Sequence, residues 1–389
     1  MNRKLLLFLV GAIFFTMSTG CQNKELPQTQ DMKEWLEASG LYSEATKEEL
    51  YEKALLENGL MIYTNTSRLS DVKGSFEKEY PGLVVEMVDI RSNTIPDAVQ
   101  KNYDNRDYAL DLVICTDLNG VISNDFVDNG ILYTYVPYDI KEHIKADHCD
   151  DGLMFLGEAV MLFYNTRNNE ASPIENWWQL TEDSFEGRVY MANPLSSNSN
   201  YALFNMIIKN ADIMAKAYEE FYGEKLILSD GKNAGELFLE KLVKNAVIVN
   251  SSDEALEAIA GCDGENDSVG IMISSKIRYK SIGYDVAISY GVMPFDGLYA
   301  PNGIYIAGGS PNVNTAKLFI RWLLGETDGT GQGALPYLTD GTWSPRTDIK
   351  SDAEYELEEL NMWRLDKDYS YEHIEEFNEF WVNLLEEYQ

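Results

Sequence analysis

Apolar positions recur along this chain in two alternating rhythms. Residues 60–64 are a short apolar run ending in polar groups, and 67–80 follow with Leu69, Val72, Phe76 and Tyr80 on one helical stripe. Pro81 and Gly82 stop that helix, and 83–88 read as the next strand. This is a β-α-β unit, which implies a right-handed crossover between parallel strands. The alternation continues with a helix over 94–104, a strand over 111–115, a helix over 118–129 and a strand over 131–135. A second set opens at 159–164 and adds strands near 188–192, 246–250 and 269–274, with helices near 200–210, 211–222, 233–244 and 253–260. A last set has strands over 286–292 and 303–307 and a helix over 313–324. The acidic tail, 352–389, reads as helical, with Trp363, Phe377, Trp381 and Leu384 available to pack. Strands alternating with helices predict an α/β architecture with mainly parallel sheets. No repeat of solenoid length is visible.

The first twenty residues break the rhythm. Arg3 and Lys4 make a basic start, an apolar run reaches Met17, and small Ser18, Thr19 and Gly20 lead into Cys21. Basic, apolar, then small is the order of a secretory signal, and the run is too short for about 30 Å of hydrocarbon. The small residues before Cys21 resemble a bacterial lipobox, which implies a lipid on Cys21 and membrane attachment through it. Residues 21–57 then form a polar tether and N-terminal helices. Cys115 sits in an apolar strand and reads as core; Cys149 and Cys262 are free to pair or not, since spacing cannot decide it.

Charge narrows the partners. The formal net charge is −33, from 31 Lys+Arg against 64 Asp+Glu. Such a body is repelled by nucleic acid, so no nucleic-acid partner is expected. The excess says little about a ligand, because fields are screened over roughly 8 Å and a cleft can carry its own local sign. With only His143, His148 and His373 and no Cys/His cluster of zinc spacing, no metal and no cofactor are expected.

In open α/β sheets, ligands bind beyond the C-terminal ends of strands. The first strand ends in Thr64, Asn65, Thr66, Ser67 and Arg68, five hydrogen-bonding residues opening into a helix. Ser196, Ser197, Asn198, Ser199 and Asn200, with Tyr201, do the same in the other half. Free N–H groups at a helix start suit carboxylates, phosphates or sugar hydroxyls; the plainer reading of any one hydroxyl is an N-cap. Arg91, Ser92, Thr116, Asp117, Ser274 and Ser275 lie just past other strands and are weaker candidates, each equally readable as a turn. Trp177 and Trp178 could stack on a sugar ring but fit a core better. Elbow, phosphate-loop and zincin motifs are absent, so no enzyme is expected.

With these residues in hand, the chain resembles the extracellular solute-binding proteins of bacterial ABC importers. The branch is the type II periplasmic-binding family, whose members take ferric iron, phosphonates, phosphosugars and polyamines. The matching stretches are 61–64 with 76–86, then 158–166, 177–181 with 185–194, and 308–312 with 316–320. The resemblance implies two mixed-sheet α/β lobes joined by a hinge, with a ligand cleft between them. A signal would occupy 1–20, lobe one 58–152 plus 293–389, and lobe two 153–292, with crossings near 156–159 and 290–294. It also implies a small-molecule solute handed to ABC permease subunits from an extracytoplasmic, lipid-anchored position. Ferric-iron members typically use adjacent tyrosines; here the segment offers only Asn200-Tyr201. A small anionic or hydroxylated organic solute is therefore ranked above iron, and iron above a polyamine. A ligand-presenting subunit of a membrane sensor kinase would use the same fold.

Overall fold

The computed structural model describes residues 30–388 except 67, 107, 146–147, 150–151, 168, 230, 262–266, 327–330 and 332. The signal, Cys21, Ser67 and Cys262 lie outside the described residues. Among those described, no helix is long and apolar enough to cross a membrane. Cys149 is disulfide-bonded and Cys115 is a free, buried thiol.

Helices α1 (Gln30–Ser39) and α2 (Lys47–Ala54) lead into β1 (Leu60–Thr64), α3 (Leu69–Glu79), β2 (Val85–Asp89), α4 (Ile95–Asp104) and β3 (Leu112–Thr116). A π-helical turn at Ile122–Val127, β4 (Leu132–Tyr133) and β5 (Leu153–Leu156) follow. Next come β6 (Ala159–Asn165), β7 (Val189–Ala192), α5 (Asn198–Lys209), α6 (Ala211–Tyr222), α7 (Ala234–Asn245), β8 (Ala246–Val249), α8 (Ser252–Ala260) and β9 (Val269–Ile273). The chain ends with β10 (Val286–Ile288), β11 (Gly297–Tyr299), β12 (Asn302–Ala307), α9 (Val313–Leu323), β13 (Met362–Arg364), α10 (Lys367–Glu372) and α11 (Ile374–Tyr388).

Two sheets result. One has the order β2-β1-β3-β12-β4, with β5 also on β12; the other runs β13-β11-β6-β9-β7-β8, with β10 also on β6. The expectation of mainly parallel sheets is corrected to mixed ones. β1, β2 and β3 are parallel, as are β7, β8 and β9, but β12 runs against β3 and β6 against β9. The chain crosses from β5 in the first sheet to β6 in the second through Gly157 and Glu158, and returns from β11 to β12 through Ala300 and Pro301. β5, β6 and β12, which flank the crossings, run antiparallel to every strand they pair with, and β11 runs antiparallel to β6.

The central strands β3, β6 and β9 are buried on both faces and read as unbroken apolar runs. Along β3, Leu112 and Ile114 join the core under α2, α3 and α9, while Val113 and Cys115 join the one under α4. Along β6, Val160, Leu162 and Tyr164 face one second-lobe core and Ala159, Met161 and Phe163 the other. Side chains alternate with the period of two that a strand imposes. Trp177 and Trp178 are core: their indole N–H groups donate to the carbonyls of Phe295 and Met214, both at 2.8 Å.

The tail is helical over α10 and α11, but it packs on the second sheet, not in the first lobe where the resemblance put it. β13 pairs in parallel with β11, and Phe377, Trp381 and Leu384 of α11 pack into the second lobe's core. Three of its aromatics were available to either body; the edge of β11 decides it.

Candidate functional site: an interlobe cleft

Both sheets point the C-terminal ends of their parallel strands at one cavity of about 380 Å³. From the first lobe it is walled by Asn65, Thr66 and Arg68 after β1, Ser92 after β2, Thr116 and Leu118 after β3, and Asn302 opening β12. From the second come Ala192 and Ser196 to Ser199 after β7, Asn250 to Asp253 after β8, and Ile273, Ser275, Lys276 and Arg278 at and after β9. Glu158, in the first crossing, sits between them.

Three helices start at this cavity. α3 begins after Arg68; α5 begins at Ser197, whose Oγ accepts the Asn200 N–H at 3.5 Å; α8 begins at Ser251, whose Oγ accepts from Glu254 at 3.2 Å. The positive ends of three helix dipoles, with their free N–H groups, therefore face the same space. Side chains add to the effect. Arg68, Lys276 and Arg278 line the cavity against Glu158 and Asp253, and both acids are engaged: Asp253 accepts from Lys276 Nζ at 2.5 Å, and Glu158 accepts from Asn302 Nδ2 at 2.6 Å. Burial pulls the Lys276 ammonium below its usual range, against the opposing pull of Asp253. Arg278 donates to the Ser275 carbonyl at 2.7 Å and lies 4.8 Å over the Tyr279 ring. Asn65 donates to Ser92 Oγ at 2.7 Å, while its own Oδ1 is buried without a hydrogen bond. A chain of net charge −33 thus lines its cleft with an excess of positive potential.

The structure brings Asn65, Thr66, Arg68, Ser92, Thr116, Ser196, Ser197, Asn198, Ser199 and Ser275 together around this space. It turns others away. Thr64 is buried, its Oγ1 accepting the Thr66 N–H at 3.1 Å. Arg91 is exposed and does not line the cavity; its carbonyl accepts from Thr94 Oγ1 at 2.8 Å. Asp117 accepts from the Ile122 and Ser123 N–H groups, both at 3.0 Å, and holds Lys367 at 3.5 Å, so it caps the π-helical turn. Asn200 ties its amide to the Ala192 carbonyl at 2.9 Å, and Tyr201 donates to the Ile374 carbonyl at 3.2 Å. Ser274 bridges the Ala159 N–H, at 2.9 Å, and the Gly341 carbonyl. In every case but Arg91, a backbone group nearby claims the side chain. Replacing Asp117 by Ala is expected to cost about 1–3 kcal/mol of stability, read by chemical denaturation; an unmoved midpoint would refute the capping role.

Sequence reasoning missed Leu118, Glu158, Ala192, Asn250, Ser251, Ser252, Asp253, Ile273, Lys276, Arg278 and Asn302. The Asn250 to Asp253 run carried the same signal as the two nests, polar residues closing a strand and opening a helix. Lys276 and Arg278 sit one and three residues past the predicted Ser275.

The family model for bacterial extracellular solute-binding proteins matches residues 64–329. The chain belongs to that family. Among solved structures, this solute-binding protein is similar to iron-bound HitA from Pseudomonas aeruginosa, with a TM-score of 0.63 at 15% identity over 84% of this chain and 99% of that one. It is equally similar to AfuA from Actinobacillus pleuropneumoniae with fructose-6-phosphate bound, with a TM-score of 0.63 at 17% identity over 84% and 98%. MotA from A. tumefaciens in complex with glucopine follows at 0.57 and 12% identity over 84% and 99%. At these identities the likeness establishes the type II periplasmic-binding fold, two lobes about a hinge. No curated protein sequence matches the chain. The family makes this solute-binding protein an extracytoplasmic capture component of an ABC importer.

Proposed function

We propose that the cleft captures a small anionic, hydroxylated organic solute, and that a lipid on Cys21 holds the protein at the membrane while the loaded form meets its permease. One observation carries the ligand class: three helix N-termini and the cationic side chains of Lys276 and Arg278 converge on a cavity in an otherwise acidic chain, and Arg68 lines it while its guanidinium donates to the Pro336 carbonyl and lies over the Tyr337 ring. The Ser, Thr and Asn side chains around them supply donors and acceptors for hydroxyls, and none of these groups forms a nucleophile–base pair, so binding rather than turnover is the reading they support. Ligand contacts made by both lobes favour the closed state.

The similar structures carry iron, a sugar phosphate and an opine. Iron fits this cleft poorly, since no tyrosine is among its described lining residues and burial raises the Tyr201 phenol above its ordinary value, against ionisation. A polyamine would meet like charge at Lys276, Arg278 and Arg68.

A thermal-shift panel of sugar phosphates, phosphonates, Fe(III) and polyamines tests this. A ligand at a hundred times its Kd adds about 2.7 kcal/mol, so an anion is expected to raise the melt where spermidine and Fe(III) do not. Converting Ser197 and Asn198 together to Ala is expected to weaken the anion about tenfold or more, through two lost hydrogen bonds. A panel in which only Fe(III) or a polyamine shifts the melt would reverse the assignment.

A further inference from the structure

A second cavity, of about 230 Å³, lies against the hinge. Met154 of β5 and Tyr299 of β11, each on a strand that leads into a crossing, form part of its wall; Arg364, Leu365 and Lys367 of the tail form another. Leu118 alone among the described residues lines both this cavity and the cleft. Its floor is Tyr305, which lies flat on the backbone: a Cβ at Gly152 or Gly303 would come within 2.2 or 2.5 Å of that side chain. Glycine at both positions makes room for the Tyr305 side chain to lie there.

The polar groups around it are mostly committed. Lys367 is held by Asp117 at 3.5 Å and Ser123 at 3.1 Å, and His148 lies 3.2 Å from the Pro345 carbonyl. Arg364 differs. Its guanidinium sits 4.2 Å over the Tyr299 ring, and among the described residues it makes no ion pair. The carboxylate whose field it feels, Glu358, is taken by Lys145. A guanidinium without a carboxylate, in a chain with twice as many acids as bases, above an aromatic and aliphatic hollow, is complementary to a flat apolar body ending in an anion. The volume is below the roughly 300–1,000 Å³ of drug-sized sites, which restricts the occupant to about one ring.

We infer that this hinge cavity is a second ligand site, taking a small aromatic carboxylate with its ring on Tyr305 and its carboxylate on Arg364. Because the strands that enter both crossings, Pro301 of the second crossing and the tail wall it, its shape depends on the angle between the lobes, and occupancy is linked to loading of the cleft in both directions. The inference does not depend on which solute the cleft takes.

Titrating the full chain with benzoate, followed by calorimetry and by aromatic ring NMR signals, tests it, with benzyl alcohol as the neutral analogue. Benzoate is expected to saturate one site and to bind about tenfold or more tighter than benzyl alcohol. Arg364→Gln removes that preference, and Leu365→Trp, which fills the hollow and leaves the guanidinium in place, abolishes binding of both. The Ser197→Ala, Asn198→Ala double variant retains benzoate binding. Overturning results are no saturation at millimolar benzoate, full affinity in Arg364→Gln, or loss in the double variant, which would place benzoate in the cleft.

Discussion

Changing Lys276 and Arg278 together to glutamine is expected to lower affinity for the anionic solute by about 10²–10⁴-fold, from two charge-assisted contacts at about 1.5–3 kcal/mol each. Lys276 is the stronger contributor. Its side chain is only 12% exposed, so its field is weakly screened, and Asp253 fixes its Nζ where the α8 N-terminus also points. Protein stability should change little, because removing a desolvated ammonium offsets the loss of a half-exposed ion pair. Lys276→Arg retains the charge and should keep most of the affinity. Calorimetry on the best anion of the panel checks this. Affinity within threefold of the parent would show that the two cations do not face the solute, and the ligand assignment would lose its main support.

Arg346→Met is expected to cost about 3–5 kcal/mol, the range for leaving a buried charge network without its partner. The Arg346 side chain is fully buried. It donates to both Asp348 oxygens, at 2.9 and 2.6 Å, and to the carbonyls of Leu324, Gly325 and Glu326 at 3.3, 3.0 and 2.7 Å. Five acceptors would be left to methionine, which donates nothing. Arg346 holds the Asp348 carboxyl below its ordinary 3.8. A lowered folded-state value stabilises the fold above the unfolded value of roughly 3.9 and is lost as pH falls through the lowered one. The gap between parent and variant should therefore narrow in acid. Denaturation at neutral pH and well below pH 4 measures it; an equal gap at both would assign the loss to the carbonyl contacts alone.

Much of this architecture was legible because its central strands are buried on both faces. The apolar runs at 60–64, 159–164 and 188–192 could only be strands between helices, and the polar breaks after them marked where ligands gather. β5 and β13 escaped for opposite reasons. β5 is separated from β6 by only Gly157 and Glu158, so the pair reads as one long apolar stretch; β13 is three residues whose strand character comes from a partner some sixty positions earlier. Within the nests, sequence gave the cluster but not the direction of each side chain. Ser197 and Asn200 look alike on paper, yet one faces the cavity and the other is drawn to the Ala192 carbonyl. Lys276 and Arg278 were hidden by their class: an isolated cation in so acidic a chain reads as a surface ion pair until the strand end that aims it is known.

The N-terminal helices have a mechanical consequence. Trp35 of α1 donates its indole N–H to the Ser310 carbonyl at 2.9 Å and packs 5.3 Å from Tyr133, while Glu57 accepts from Asn314 and Thr315 at the start of α9. Any restraint on the segment before Gln30 is therefore transmitted to one half of the molecule. Arg68 follows β1 in that half, whereas Lys276, Arg278 and the starts of α5 and α8 belong to the other, so a hinge motion that closed the cleft would carry those groups toward the Arg68 wall.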